Sequence, residues 1–176
     1  DEAIAELKEE EFKELYQIEQ NEHHEYVRDC QIETDMEILI PDWYVNSVNE
    51  RLILYRELDD LKNEFELEKF TQKLKDRFGV LPAATIELIE TLRLRWLAKD
   101  IGFEKIVLKN NVLNCYFITK KESPYYQSAK FTKVLNYFQN NHRSVKMEEK
   151  NDKLRFVFTA VKDINQAIES LKPILK

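Results

Sequence analysis

An α+β fold is what this 176-residue sequence predicts, with a strand and helices first and then a ββαββα unit whose antiparallel sheet is covered by helices. Three observations carry that expectation. Apolar residues recur at helical spacing in three successive blocks up to residue 101, and the period then switches to two. Two polar turns, Asn110-Asn111 and Lys150-Asn151-Asp152, each separate a pair of alternating segments. The only two glycines, Gly79 and Gly102, stand just past expected helix ends, where a left-handed residue closes a helix without a Cβ penalty.

Residues 1 to about 20 read as a helix, with Ala3, Leu7, Phe12, Leu15 and Ile18 at roughly helical spacing. Residues 21–29 are polar and read as a linker. Over 30–40, Cys30, Ile32, Thr34 and Met36 alternate with Gln31, Glu33 and Asp35, the period of a half-buried strand that Pro41 ends. The first helix of the body is capped by Asn46 or Ser47 and carries the stripe Val48, Leu52, Tyr55, Leu58 and Leu61. The second shows Leu67, Phe70, Leu74 and Phe78. The third, over 83–101, is apolar round more than half its circumference, which predicts a central helix with neighbours on two sides. Pro82 suits its first turn.

Strands follow at 103–109 and 112–119. Ser123-Pro124 opens a helix striped by Phe131, Val134, Leu135 and Phe138. A second hairpin pairs 144–149 with Leu154, Phe156 and Phe158, which alternate with Arg155 and Val157. A last helix shows Ile164, Ala167, Ile168 and Leu171 before Pro173. The change of period near Gly102 predicts a helical part to about residue 102 and a sheet-rich part over 103–176.

Composition narrows the function classes. A hydrophobic fraction of 43% supports a real core. A net charge of -6 and a pI near 5.3 argue against a dedicated nucleic-acid module, whose affinity comes from phosphate neutralisation, and leave a local basic patch open. No apolar run approaches the roughly 18 residues of a membrane span, and no secretion signal is visible. The chain begins with Asp1 rather than Met, which predicts a fragment of a longer protein. Cys30 and Cys115 lie far apart in alternating segments, the pattern of buried, reduced thiols, and the cytoplasm is the expected compartment.

Motifs for chemistry are missing. Two isolated glycines cannot write a phosphate loop or a dinucleotide fingerprint. His24-Glu25-Tyr26-Val27-Arg28 has Arg28 where a zinc-protease helix needs its second histidine; His23 is adjacent and His142 remote, so no metal site is expected. Neither cysteine carries a cue for an activated thiolate. Glu9-Glu10-Glu11 reads as a solvated helix face. No catalytic residue and no cofactor is expected. Arg93, Arg95 and Lys99 flank Trp96, a phosphate-binding possibility set against a core-packed Trp96 with solvated charges.

Residues 39–82 are the informative stretch. They read Leu39-Ile40-Pro41-Asp42-Trp43-Tyr44-Val45, then Val48-Asn49-Glu50-Arg51-Leu52, then Tyr55-Arg56, and later Asp76-Arg77-Phe78-Gly79-Val80-Leu81-Pro82. This resembles the signature of the C-terminal domain of bacterial transcription-repair coupling factors. That family shows an Ile/Leu-Pro, a Tyr, an Asn-x-Arg-Leu and a Tyr-Lys/Arg, then Asp-Arg-Phe/Tyr-Gly before a Pro. Leu92-Arg93 and the Ile101-Gly102 turn fit as well, and the likeness is specific over about 30–108. Two departures are Ser47, where the family usually has an acid, and a longer polar segment at 9–29. Physically the motif residues Pro41, Tyr44, Asn49, Arg51, Leu52, Tyr55, Phe78, Gly79 and Pro82 read as fold-defining, with the planar Arg51 fork suited to bridging carbonyls or a carboxylate.

The resemblance implies that residues 1–29 are a helix and linker from the end of the family's motor module and that 30–176 form its C-terminal regulatory domain. It implies a domain without chemistry of its own that packs on the N-terminal repair-recruiting module of the same ATP-driven DNA translocase. There it masks the surface for the damage-recognition ATPase of excision repair; RNA polymerase is met through the parent. Interface residues implied by the family are Asp76, Lys73 and Arg77. Asp76 matches an acidic position, whereas Lys73 stands where the family can carry an acid, and the two are spaced to pair with each other on one helix. The alternative is a directly nucleic-acid-binding module using Arg93, Arg95 and Lys99 or Lys120-Lys121.

Overall fold

The computed structural model describes residues 5, 6, 8–13 and 25–176. Within the leading amphipathic stretch, 5, 6 and 8–13 are helical and Phe12 is exposed; the rest of that expected helix, with His23 and His24, lies outside the described residues.

The body is a mixed α+β structure. Strand β1 (Gln31–Thr34) comes first, followed by helices α1 (Val48–Asp60), α2 (Glu64–Phe78) and α3 (Ala83–Ile101). Then come β2 (Phe103–Lys109), β3 (Val112–Phe117), a 3-10 turn (Pro124–Gln127) and α4 (Ala129–Asn141). Strands β4 (Lys146–Lys150) and β5 (Lys153–Phe158), α5 (Ile164–Leu171) and a last 3-10 turn (Lys172–Leu175) complete it.

The helix ends follow from their sequences. Ser47 Oγ, Asn63 Oδ1 and Asp163 Oδ1 accept the backbone N–H three residues on, at 3.2, 2.9 and 2.7 Å. Glu66 and Gln166 return the favour to the N–H of Lys62 and Lys162, so two helices start with reciprocal caps. The helix expected from Ser123-Pro124 is instead a 3-10 turn, and α4 starts afresh with Ser128 accepting from Phe131 at 3.2 Å.

Five strands form one sheet in the order β1-β2-β3-β5-β4. The β2–β3, β3–β5 and β4–β5 pairs are antiparallel, as the two hairpins require. Asn110 and Asn111 have φ of 53° and 62°, and Asn151 and Asp152 have 53° and 60°, so both turns are two-residue turns with positive φ throughout. The edge strand β1 pairs with β2 in parallel, Ile32 opposite Ile106, so the sheet is mixed rather than purely antiparallel. Three helices lie between these two strands, and a long helical crossover of this kind is what a parallel pair needs.

The core has two centres. One gathers the inward sheet residues Phe103, Ile106, Leu113, Cys115, Phe117 and Phe156 under Leu94, Ala98 and Ile101 of α3 and under α4 and α5. The other gathers Ile40, Tyr44, Leu54, Leu58, Leu67, Phe70 and Leu74 around Ile89 and Leu92 of α3. The central position expected of the third helix is thus observed. The stripe expected on α1 is observed in part: Tyr55, Leu58 and Leu61 pack on the helical core, while Val48 and Leu52 are exposed and Leu54 takes the buried place one turn before Leu58.

Gly102 is closely packed, whereas Gly79 is not. The φ of Gly102 is 115°, and a Cβ there would fall 2.3 Å from the Tyr125 ring, whose hydroxyl donates to the Ile101 carbonyl at 2.8 Å. Lys130, buried at 5% exposure, holds Asp100 at 2.8 Å beside it. Gly79, with φ 90°, has open space where a Cβ would stand. Gly102→Ala is therefore expected to cost about 3 kcal/mol or more, and Gly79→Ala about 1–3 kcal/mol from backbone strain alone. Urea unfolding of the two variants checks the order.

Both cysteines are buried and free. Burial, with Asp29 nearby, pushes the Cys30 thiol up to about 12, and burial pushes Cys115 well above the ordinary thiol range. Native protein is expected to resist a disulfide-forming thiol reagent at pH 8, while unfolded protein titrates both thiols rapidly.

Candidate interaction surface

The motif residues singled out in the sequence converge on the corner between α2 and α3. Tyr44 places its hydroxyl 2.7 Å from the Gly79 carbonyl and 3.2 Å from that of Leu74, so it closes the end of α2 from a loop 30 or more residues earlier. Its ring lies 5.7 Å from that of Phe78. Arg51 donates to the carbonyls of Val45 at 2.7 Å and Asn46 at 3.2 Å, the carbonyl bridge its fork suits. Tyr55 accepts the Ile40 N–H at 2.7 Å, and Pro41 and Pro82 are buried. Asn49 and Leu52 are exposed, so these two motif positions hold no core contact.

That corner presents apolar surface to solvent. Trp43 is 70% exposed and stands edge-on to Tyr44 at 6.1 Å; Val80, next to Gly79, is 91% exposed. Beside Trp43 runs an open groove of about 480 Å³ lined by Met36, Pro41, Pro82 and Ala83, with the carboxylates Glu37, Glu87 and Asp163 at its margin.

The charged residues of α2 sort themselves differently from the spacing argument. Lys73 pairs with Glu57 of α1, and Arg77 pairs with Glu50 of α1 while lying 4.7 Å over the Phe78 ring. Lys73 and Asp76 do not pair, because Glu57 from the neighbouring helix reaches the ammonium first. Asp76 is exposed and accepts from Gln72 Nε2 at 2.9 Å; among the described residues no cation stands within ion-pair distance of it. The α1–α2 pairs are signals that only the packing of the two helices reveals.

The basic residues near Trp96 are also engaged. Arg93 pairs with Glu64 at 2.6 Å and with Glu90. Arg95 reaches Asp59 at 3.9 Å, and its Nε is buried with no partner among the described residues. Trp96 packs against the helical core, and the cleft beside it holds Arg28, Lys62, Arg95 and Lys99 with as many carboxylates, Glu25, Asp29, Asp59 and Asp100. Lys121 pairs with Glu149 at 3.5 Å and Asp152 at 3.1 Å. His142 is exposed, its Nδ1 3.1 Å from the Gln139 carbonyl.

Comparisons with known proteins point one way. The TRCF domain family model matches residues 34–128. The chain is 38% identical over 76 residues to the transcription-repair-coupling factor of Escherichia coli (strain K12), covering 43% of this chain and 7% of that protein. It is 28% identical over 149 residues to the protein of the same name from Rickettsia prowazekii (strain Madrid E), covering 81% and 12%. The chain therefore spans only a small part of these relatives. A crystal structure of the C-terminal domain of a transcription-repair coupling factor superposes with a TM-score of 0.64 at 16% identity, over 84% of this chain and 95% of that one, a likeness of fold.

Glu87 at the groove margin gives a pH test. Burial raises its pKa, Asp163 and Glu90 add to that, and a long bond from the Ile164 N–H at 3.4 Å only partly opposes it. A raised carboxyl favours the folded state in its protonated form, so its contribution is present below the ordinary glutamate range and lost as pH rises through the raised value. Glu87→Gln is expected to be more stable than the parent at neutral pH, with the advantage shrinking as the solution is acidified. Melting curves at several pH values check this.

Proposed function

We propose, from the premise that the chain belongs to the TRCF domain family and is a C-terminal domain of a transcription-repair coupling factor, that it is a regulatory domain without catalysis of its own. Its work is to pack on the N-terminal repair-recruiting module of the same protein, in the cytoplasm, and so mask the surface that meets the damage-recognition ATPase of excision repair. RNA polymerase and DNA translocation belong to other modules of that protein.

One observation carries this reading. The corner built by the family's motif residues exposes Trp43 and Val80, and Asp76, in the last turn of α2 just before Val80, lacks a cation among the described residues. Large apolar side chains next to an unmatched charge are what a partner surface supplies cover and complement for. Lys73 and Arg77 of the same helix are already matched by α1. Masking is an intramolecular equilibrium, so contacts worth about 1–3 kcal/mol are enough to shift it strongly.

Two variants of the full-length coupling factor test it. Asp76→Arg and Trp43→Ala each lie on exposed positions, so the isolated domain is expected to keep its melting temperature within about 2 °C. Each is expected to bind the damage-recognition ATPase more tightly than the parent protein does, about fivefold or more. Unchanged affinity in both would remove this corner from the masking interface.

A further inference from the structure

Among the described residues, the helices cover one face of the sheet and leave the other bare. The inward residues of all five strands enter the core, and the residues that alternate with them do not. The strand register places those outward residues in rows across the sheet: Gln31, Lys105, Tyr116, Arg155 and Glu148 form one, and Glu33, Val107, Asn114, Val157 and Lys146 the next. Over the whole face there are six cations, Lys105, Lys109, Lys146, Lys150, Lys153 and Arg155, against three carboxylates, Glu33, Glu148 and, at the β2 bulge, Glu104. A chain of net charge -6 thus shows a face of about +3.

The fold gives no reason for this excess. Lys150 and Lys153 are directly opposite each other at the turn, an arrangement of like charges that destabilises a hairpin. Among the described residues Lys146, Lys150 and Lys153 have no carboxylate within ion-pair distance, whereas Lys105 holds Glu33 at 3.1 Å and Arg155 holds Glu148 at 2.7 Å. An aromatic ring sits in the middle of the basic row. Tyr116 stands between Lys105 and Arg155, its hydroxyl accepting from the guanidinium at 3.3 Å. At this end of the sheet the surface sinks into an open trough of about 800 Å³ that runs across the strands from Gln31 to Lys150, lined by Arg28, Lys105, Lys150, Lys153 and Arg155 against Asp29 and Glu104.

We propose that this bare face binds single-stranded nucleic acid, with the backbone phosphates on the lysines and Arg155 and a base stacked at Tyr116. An extended polyanion fits an open trough lying across the strands, and an aromatic platform between cations is the feature that an acidic peptide would not use. Asn114 is the only uncharged amide in the two rows apart from Gln31, so the face holds the strand by charge and stacking rather than by base identity. This site is separate from Arg93, Arg95, Lys99 and Lys121, which carboxylates already engage or balance, and it does not rest on the masking corner.

The test is fluorescence anisotropy of the full 176-residue chain with a labelled 15-nucleotide mixed-sequence DNA at 50 mM salt, followed by a salt series. Binding is expected, with log K falling against log salt by about 0.7 for each phosphate neutralised. The double variant Lys150→Glu/Lys153→Glu is expected to bind at least tenfold more weakly and with a shallower slope. Tyr116→Ala is expected to weaken binding about tenfold and leave the slope unchanged, since stacking neutralises no phosphate. Lys172→Glu, outside the sheet, serves as the control and should bind as the parent does. Circular dichroism confirms that each variant is folded, and Tyr116→Phe should retain binding where Tyr116→Ala loses it. No binding at 50 mM salt, or binding that the lysine reversals leave unchanged, overturns the proposal. Poly-glutamate displacing the DNA at equal charge, with Tyr116→Ala behaving as the parent, overturns it in favour of an acidic-peptide surface.

Discussion

Helix α3 has to bury two faces at once, and the rest of the structure is arranged round that requirement. Ile89 and Leu92 look into the helical core, while Leu94, Ala98 and Ile101 look into the core under the sheet. Spacings of three and four hold within each set, and the step of two from Leu92 to Leu94 moves from one side of the helix to the other. Where α3 stops is set as tightly as where it lies. Gly102 takes the conformation that ends it, and the Tyr125 ring fills the space a side chain would need while binding the last carbonyl. Strand β2 starts at the next residue, so the placement of the sheet follows from the end of this helix. A change that moved α3 would be felt in both cores, which is why the two parts cannot be treated as independent units energetically.

The α+β class was legible because each element type leaves its own period. The two asparagine turns and both glycines were legible for a related reason: positive φ restricts the residue choice sharply. Two features were not legible. Alternation over 31–34 shows that a strand exists, yet it contains nothing about its partner, and β1 joins the sheet in parallel only because three helices intervene before β2. The burial face of α1 was ambiguous because Val48, Leu52, Ile53 and Leu54 supply apolar residues on more than one side. The face that ends in Leu58 and Leu61 can be continued backwards through Leu54 or through Leu52 and Val48, and tertiary packing took Leu54.

The candidate surface divides in the same way. Arg51 bridging carbonyls follows from the chemistry of a planar fork beside a turn, and the structure shows that bridge. The role of Tyr44 does not follow from sequence, because its hydroxyl serves a helix end 30 and 35 residues away. The spacing of Lys73 and Asp76 does not by itself decide whether they pair. A spacing of three on one helix makes a weak exposed pair, worth a few tenths of a kcal/mol, so any acid brought in by a neighbouring helix competes on equal terms. Glu57 does so, and among the described residues Asp76 is left without a cation at ion-pair distance.

Charge segregation completes the picture and shows why net charge misleads. Residues 1–24 alone carry nine carboxylates and two lysines, so residues 25–176 are close to neutral overall. Within that near-neutral body the groove beside Trp43 is rimmed by Glu37, Glu87 and Asp163, while the bare sheet face is basic. Fields of exposed charges fade over a Debye length of about 8–10 Å, which is less than the width of such a domain. Each face is therefore met by a partner as a local field, largely unaware of the opposite sign on the other side. An acidic isoelectric point constrains the sum of these fields and says little about either one. Among the described residues, the same chain offers a carboxylate without a cation near an apolar corner to one surface and an excess of lysines to another, with neither interaction cancelling the other.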